Sequence, residues 1–229
     1  IWIASGYTQA FDQANMPNAV ANLNPSLQNP DFDPGRANSL PWQSGFGCFG
    51  WNKAKLQETL GVDSLVSVDQ LFDPKLKGRV SVLSEMRDTM GVLMASQGND
   101  PSNFTDDQYS QAIDLLTKQV DDGQIRQVTG NDYADDLASG NVVIAQAYSG
   151  DVVQLQKDNP DLKFVVPESG GTTFVDTMVI PYTTQNQKAA EEWINYVYDR
   201  PNYAKLVAQT QYVPVLSDMT DELNKIDPN

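Results

Sequence analysis

An α/β fold, built as one large domain or two small lobes, is predicted by three features of this 229-residue chain. Apolar strand-like runs alternate with amphipathic helical stretches along its length. The junctions between them carry acids and aromatics, the place where α/β proteins hold ligands. Hydrophobic residues make up 40% of the chain, enough for a substantial core.

The elements follow in order. Ile1-Trp2-Ile3-Ala4-Ser5-Gly6-Tyr7 reads as the last turns of a helix closed by Gly6, so the front of a longer protein is expected ahead of it. From Asn15 to Arg36 the composition shifts to Asn, Pro, Asp and Gly, which predicts an extended surface segment without a regular core face. Ser39 to Trp51 restores apolar and aromatic residues; its glycines suit a strand crossing between lobes as well as a hairpin. Ser67 is placed to cap a short helix that Asp73-Pro74 stops. Gly78 hands over to a strand from Arg79 to Leu83, and Ser84 to Asp88 forms the junction into a helix from Met90 to Ser96.

Thr105 and two early acids precede an amphipathic run carrying Ala112, Ile113, Leu115, Leu116 and Val120 on one face. Tyr133 to Ser139 is a short helix, and Val142 to Ala147 a buried strand leading into a second junction, Tyr148-Ser149-Gly150-Asp151. Leu162 to Val166 and Phe174 to Ile180 are strands separated by the turn Pro167 to Gly171. The helix Gln187 to Asp199 buries Ala190, Trp193, Ile194 and Val197; Arg200-Pro201 breaks it, and Tyr203 to Thr210 continues as helix.

Fifteen basic against thirty acidic residues give a formal charge of −15, which disfavours nucleic acid or an anionic membrane as partner and suits a cationic ligand, although acidity also serves solubility alone. The single Cys48 excludes an internal disulfide and is expected to be a small buried hydrophobe. With no histidine, Ser-His-Asp and Cys-His catalysis are impossible within the chain, and the commonest metal ligand is missing. No apolar run reaches the length of a membrane span, and no secretory leader is recognisable.

Three acids carry the functional signal: Glu85 and Asp88 at the first junction, and Asp176 after Gly170-Gly171-Thr172-Thr173-Phe174-Val175. A protonated polyamine presents separated ammonium groups joined by methylenes, and needs spaced carboxylates with apolar walls between them. Glu85 and Asp88 stand three apart at a helix start and can share one side; the same pair also suits the helix dipole or a partner in Arg87. Asp176 lies among apolar strand residues, where a bound cation or a nearby Arg must compensate it. Phe174, Tyr148 and Trp42 are the expected apolar walls, while Phe46, Phe49 and Trp51 read as core. A carboxylate-based glycoside hydrolase is a competing reading of the same acids.

With these segments in place, the chain resembles the spermidine/putrescine-binding proteins, extracytoplasmic solute receptors of polyamine ABC transporters. The likeness runs from Asn22 to Pro214. It rests on Asn24-Pro25 through Phe32-Asp33-Pro34, Ser39-Leu40-Pro41-Trp42 through Gly50-Trp51-Asn52, and Leu71-Phe72-Asp73-Pro74 through Lys77-Gly78-Arg79-Val80. Gly170-Gly171 through Asp176 to Ile180-Pro181, and Tyr212-Val213-Pro214, complete it.

The resemblance implies a type II periplasmic-binding-protein fold, two lobes with a ligand cleft between them, whose first strands of lobe 1 are missing here. Residues 1–44 would be lobe 1, 45–174 lobe 2, 175–211 the return to lobe 1, and 212–229 a C-terminal segment crossing toward lobe 2. It further implies a non-enzymatic, monomeric receptor for spermidine or putrescine, without cofactor or metal, periplasmic or lipid-anchored, serving an ABC transporter permease. Glu85, Asp88 and Asp176 fall on the family's amine-binding acids, Tyr148 and Phe174 on positions usually held by tryptophan, and Tyr212 on a pocket tyrosine. A receptor for another cationic amine, a sugar or iron is the alternative within the same fold.

Overall fold

The computed structural model describes residues 1–226. The chain divides into two compact units, one made of Ile1–Ser44 and the chain from Val175 onward, the other of Gly45–Phe174. Gly6, with φ of +70°, closes a single turn in which Ser5 N and Tyr7 N donate to Ile1 O and Trp2 O at 2.9 and 3.0 Å. The stretch expected to be irregular contains a short helix, Pro17–Asn22 (α1). Pro17 opens it with its φ already fixed, and Met16, Ala19 and Leu23 are buried, so an Asn-rich composition concealed a core face. Asp33 and Arg36 are buried in the same segment. Arg36 donates to Leu27 O and Ser39 Oγ at 2.7 and 3.1 Å, and the Ser39 hydroxyl donates to Asp33 at 2.8 Å.

One strand, Leu40–Asn52 (β1), leads from the first unit into the second. Asn52 caps the helix Lys53–Leu60 (α2) by accepting from Lys55 N, and Gly61 ends it with φ of +75°. After a 3-10 turn with a full capping box at Ser67 and Gln70 come the strand Val80–Leu83 (β2) and the helix Met86–Ser96 (α3). The helix Asp106–Asp121 (α4) starts on a second capping box, Thr105 with Gln108. It leads to the strand Ile125–Thr129 (β3), which has no counterpart among the expected elements. The helix Tyr133–Ser139 (α5), strand Ile144–Tyr148 (β4) and strand Leu162–Val165 (β5) follow as the apolar pattern predicts, with the helix Ser149–Gln156 (α6) starting at the second junction.

The sheet of this unit runs β3-β2-β4-β1-β5. β2 is parallel to β3 and β4, whereas β1 is antiparallel to β4, with Gly47 opposite Tyr148, and to β5. Because β2 and β4 are parallel neighbours, their C-terminal ends, and the junctions into α3 and α6, lie at the same edge of the sheet. Buried side chains from both faces, among them Phe49, Val80, Leu93 and Ile144 on one and Leu83, Leu137, Ala147 and Val152 on the other, form the core.

The strand Thr172–Met178 (β6) returns the chain to the first unit. There the helices Gln187–Val197 (α7), Arg200–Thr210 (α8) and Thr220–Asn224 (α9) pack with α1 around Ile194, Val197, Tyr198, Tyr203 and Val215. Pro201 sits in the first turn of α8, where it starts a helix rather than merely breaking one. Trp193, expected in the core, is 53% exposed and stacks on Trp42 with ring centroids 5.8 Å apart. Of the segment 212–229, expected to cross toward the second lobe, the described residues 212–226 group with the first unit: Val213 bridges Ser44, Leu216 bridges Leu23, and Val215 and Met219 are buried in that core. Its last three residues, 227–229, lie outside the described residues.

Candidate functional site

In the second unit the structure brings together three of the expected site residues: Asp88, Tyr148 and Phe174. Asp88 stands in the first turn of α3, just past the end of β2, where the positive pole of the helix favours an anion. Tyr148 is the last residue of β4, at the neighbouring junction. Its hydroxyl donates to Asp88 Oδ2 at 3.2 Å, and its ring meets that of Phe174 edge-on, centroids 5.3 Å apart. All three are half-buried.

A residue that the sequence did not single out completes the cluster. The Thr172 hydroxyl lies within hydrogen-bond reach of Asp88 Oδ1 and also of Gly47 O, the latter at 3.0 Å. A hydroxyl has one proton, and an ionised carboxylate is the stronger acceptor, so that proton goes to Asp88. Each carboxylate oxygen of Asp88 is therefore held by one neutral hydroxyl donor. Among the described residues no Lys or Arg forms a salt bridge with Asp88, Glu85 or Asp176.

Behind the cluster, Tyr133 is fully buried and its hydroxyl donates to Asp151 while accepting from Tyr148 N at 3.0 Å. This fixes the backbone that presents the Tyr148 side chain. On β1, Cys48 is fully buried and its thiol is pushed up to about 12, first by burial, with the Asp88 charge adding to the shift against an opposing backbone hydrogen bond. The thiol is thus a packing element, as expected, and not a nucleophile.

Glu85 is the N-cap residue of α3, yet its side chain makes no capping bond and is exposed. It reaches solvent beside the helix start rather than joining the Asp88 cluster.

The remaining expected residues belong to the first unit. Asp176 is exposed along part of its surface, but burial of its carboxyl still raises its pKa above the ordinary carboxylate value; the opposing contact is a long one, Gln43 Nε2 at 3.5 Å. Trp42 is half-buried, its ring stacked on Trp193 and its carbonyl accepting from Tyr203 Oη at 2.8 Å. Tyr212 is half-buried and precedes Val213, whose backbone pairs with Ser44, two residues after Trp42. Among the described residues no group of three or more His, Cys, Asp or Glu side chains could hold a metal ion, and no helix is long and apolar enough to cross a membrane.

Comparison with known proteins places these features in context. The family of bacterial extracellular solute-binding proteins matches residues 1–227. A spermidine/putrescine-binding periplasmic protein of Haemophilus influenzae is 26% identical over 207 residues, covering 90% of this chain and 56% of its own length. A putrescine/cadaverine-binding protein of Pseudomonas aeruginosa is 28% identical over 220 residues, 90% of this chain and 60% of the relative. The chain thus spans somewhat more than half the length of these relatives. Among solved structures, a spermidine/putrescine ABC transporter substrate-binding protein of Streptococcus pneumoniae superposes with a TM-score of 0.77 at 23% identity, over 96% of this chain and 66% of that one.

Proposed function

Since the chain belongs to the bacterial extracellular solute-binding proteins, a family of transport receptors rather than enzymes, we propose that it binds a polyamine of the putrescine, cadaverine or spermidine kind. In the complete protein that guest would be passed to an ABC transporter permease in the membrane. The observation that carries this reading is the Asp88 carboxylate: half-buried, oriented by the Thr172 hydroxyl and by that of Tyr148, whose ring packs on Phe174, and without a Lys or Arg partner among the described residues. A partly desolvated anion in such a setting favours a cation.

An ammonium there would gain about 1.5–3 kcal/mol for each charge-assisted hydrogen bond, and about 0.5–2 kcal/mol if it also lay over an aromatic face. Asp176, whose carboxyl is raised in pKa by burial, is a second candidate acid, in the first unit. Glu85 would add long-range attraction from its exposed position, and Trp42 and Tyr212 are further candidate ligand contacts, in the first unit. Glycoside hydrolysis, the competing reading of these acids, falls with the family assignment.

The test is titration calorimetry of the chain with putrescine, cadaverine and spermidine, with maltose as a neutral control, repeated with Asp88→Asn and Asp176→Asn. Saturable binding of an amine that weakens at least about tenfold in each variant is the expected result. Heats indistinguishable from those of maltose for all three amines would overturn the assignment.

A further inference from the structure

We propose that Thr172 is a positioning residue that makes the site selective for primary ammonium groups over quaternary ones, an inference resting on the amine-binding reading above. Three contacts fix its side chain. The hydroxyl reaches Asp88 Oδ1 and Gly47 O, and the methyl lies over Gly91 of α3, where an added Cβ would come within 3.4 Å of Thr172 Cγ2. Gly47 supplies the room: a Cβ there would stand 2.5 Å from Thr172 Oγ1 and 2.8 Å from Asp88 Oδ1. The contact therefore depends on the glycine of β1, while Gly91 of α3 lets the helix pack closely against the methyl.

The consequence for recognition follows from lone-pair accounting. With Thr172 on Oδ1 and Tyr148 on Oδ2, each carboxylate oxygen keeps one further acceptor position, and the carboxyl plane is fixed between the two hydroxyls. Two fixed acceptors match two diverging N–H bonds of one primary ammonium. A quaternary ammonium has no N–H and gains only the undirected charge attraction. Losing the Thr172 hydroxyl would free the carboxylate to rotate, which weakens the directed bonds and leaves the undirected attraction nearly unchanged.

The experiment compares putrescine with its hexamethylated bis-quaternary analogue on the wild type, Thr172→Val, Thr172→Ser and Tyr148→Phe. Thr172→Val keeps the volume and removes the hydroxyl; Thr172→Ser keeps the hydroxyl. Expected is a loss of about tenfold or more in putrescine affinity for Thr172→Val, little change toward the quaternary analogue, and recovery of the wild-type preference in Thr172→Ser. A general disturbance of the fold would lower both affinities together and leave their ratio unmoved, which would overturn the inference, as would a Thr172→Ser variant as impaired as Thr172→Val. If Thr172→Val does not fold, Tyr148→Phe carries the test by removing the other donor, and an unmoved ratio there is equally fatal. A wild type that binds neither amine refutes the functional assignment itself, whereas a wild type that binds putrescine while the variants keep its preference refutes only the role of Thr172.

Discussion

Replacing Gly47 by alanine should damage both the fold and the site. The added methyl would stand 2.5 Å from Thr172 Oγ1 and 2.8 Å from Asp88 Oδ1, closer than packed atoms approach. Neither neighbour can step aside freely: Thr172 is β-branched, with few rotamers, and Asp88 is anchored in the first turn of α3. Overpacking of this kind costs about 1–3 kcal/mol, which for a chain of this size lowers the melting temperature by roughly 2–12 °C. If Thr172 rotates away to relieve the clash, the Asp88 carboxylate also loses the donor that fixes its plane, and amine affinity should fall in step with that of Thr172→Val. Differential scanning calorimetry and titration with putrescine read the two effects separately. Gly130→Ala is the control, since a Cβ there meets nothing within 4 Å. A Gly47→Ala protein that melts and binds like Gly130→Ala would refute the steric reasoning.

Tyr133→Phe removes the hydroxyl that accepts from Tyr148 N and donates to Asp151; a stability loss of about 1–3 kcal/mol by urea denaturation is expected. Glu191, almost fully buried, is raised in pKa by that burial but lowered more by donors from Asp12 N, Asn15 and Gln187, so its net pKa lies below the ordinary 4.5. Its stabilising effect is therefore present above that ordinary value and lost as the pH falls through the depressed one; urea midpoints measured from pH 7 to pH 3 should drop less steeply in Glu191→Gln than in the wild type. Cys48 should resist iodoacetamide at pH 8 in the native protein and react readily in urea, because burial holds its pKa at about 12; rapid native labelling would contradict the packing described.

What the sequence revealed about this fold depended on whether the responsible contacts were local. The capping boxes at Ser67 and Thr105 are satisfied within four residues, so their spacing alone located the helix starts. The helix Tyr133–Ser139 and the strands around Ile144 and Leu162 follow from short apolar periodicity. β3 escaped because Arg126 and Val128 are exposed on it, which leaves too few apolar positions to mark a strand; its place is set by pairing with β2, a non-local fact. The glycines of β1 suit a crossing strand, which β1 is, but the reason for two of them is non-local. Gly47 and Gly50 have ordinary extended backbones and are small because Thr172 and Asp88, or Val152 and Leu137, occupy the space a Cβ would need.

The same distinction explains the site. Asp88, Tyr148 and Phe174 were recognisable because acids and aromatics at strand ends are chemically conspicuous, but Thr172 is an ordinary strand residue until β6 brings its hydroxyl to a carboxylate 84 positions away in sequence. Its chemistry bears on the proposed amine site because, among the described residues, no Lys or Arg forms a salt bridge with Asp88. A Lys or Arg at hydrogen-bond distance would stabilise the carboxylate, yet it would occupy the position an ammonium guest would take under the proposed function, and binding would begin by breaking an ion pair. Hydroxyl donors hold the carboxylate without placing a counter-charge on it, so in the proposed site its geometry would already be set when a guest arrives. On this reasoning Thr172→Lys would do more harm than Thr172→Val: an ammonium delivered on the chain would compete with the one in solution. Putrescine affinity should fall further in that variant, and a Thr172→Lys protein binding putrescine as well as Thr172→Val would show that the guest does not bind beside Asp88.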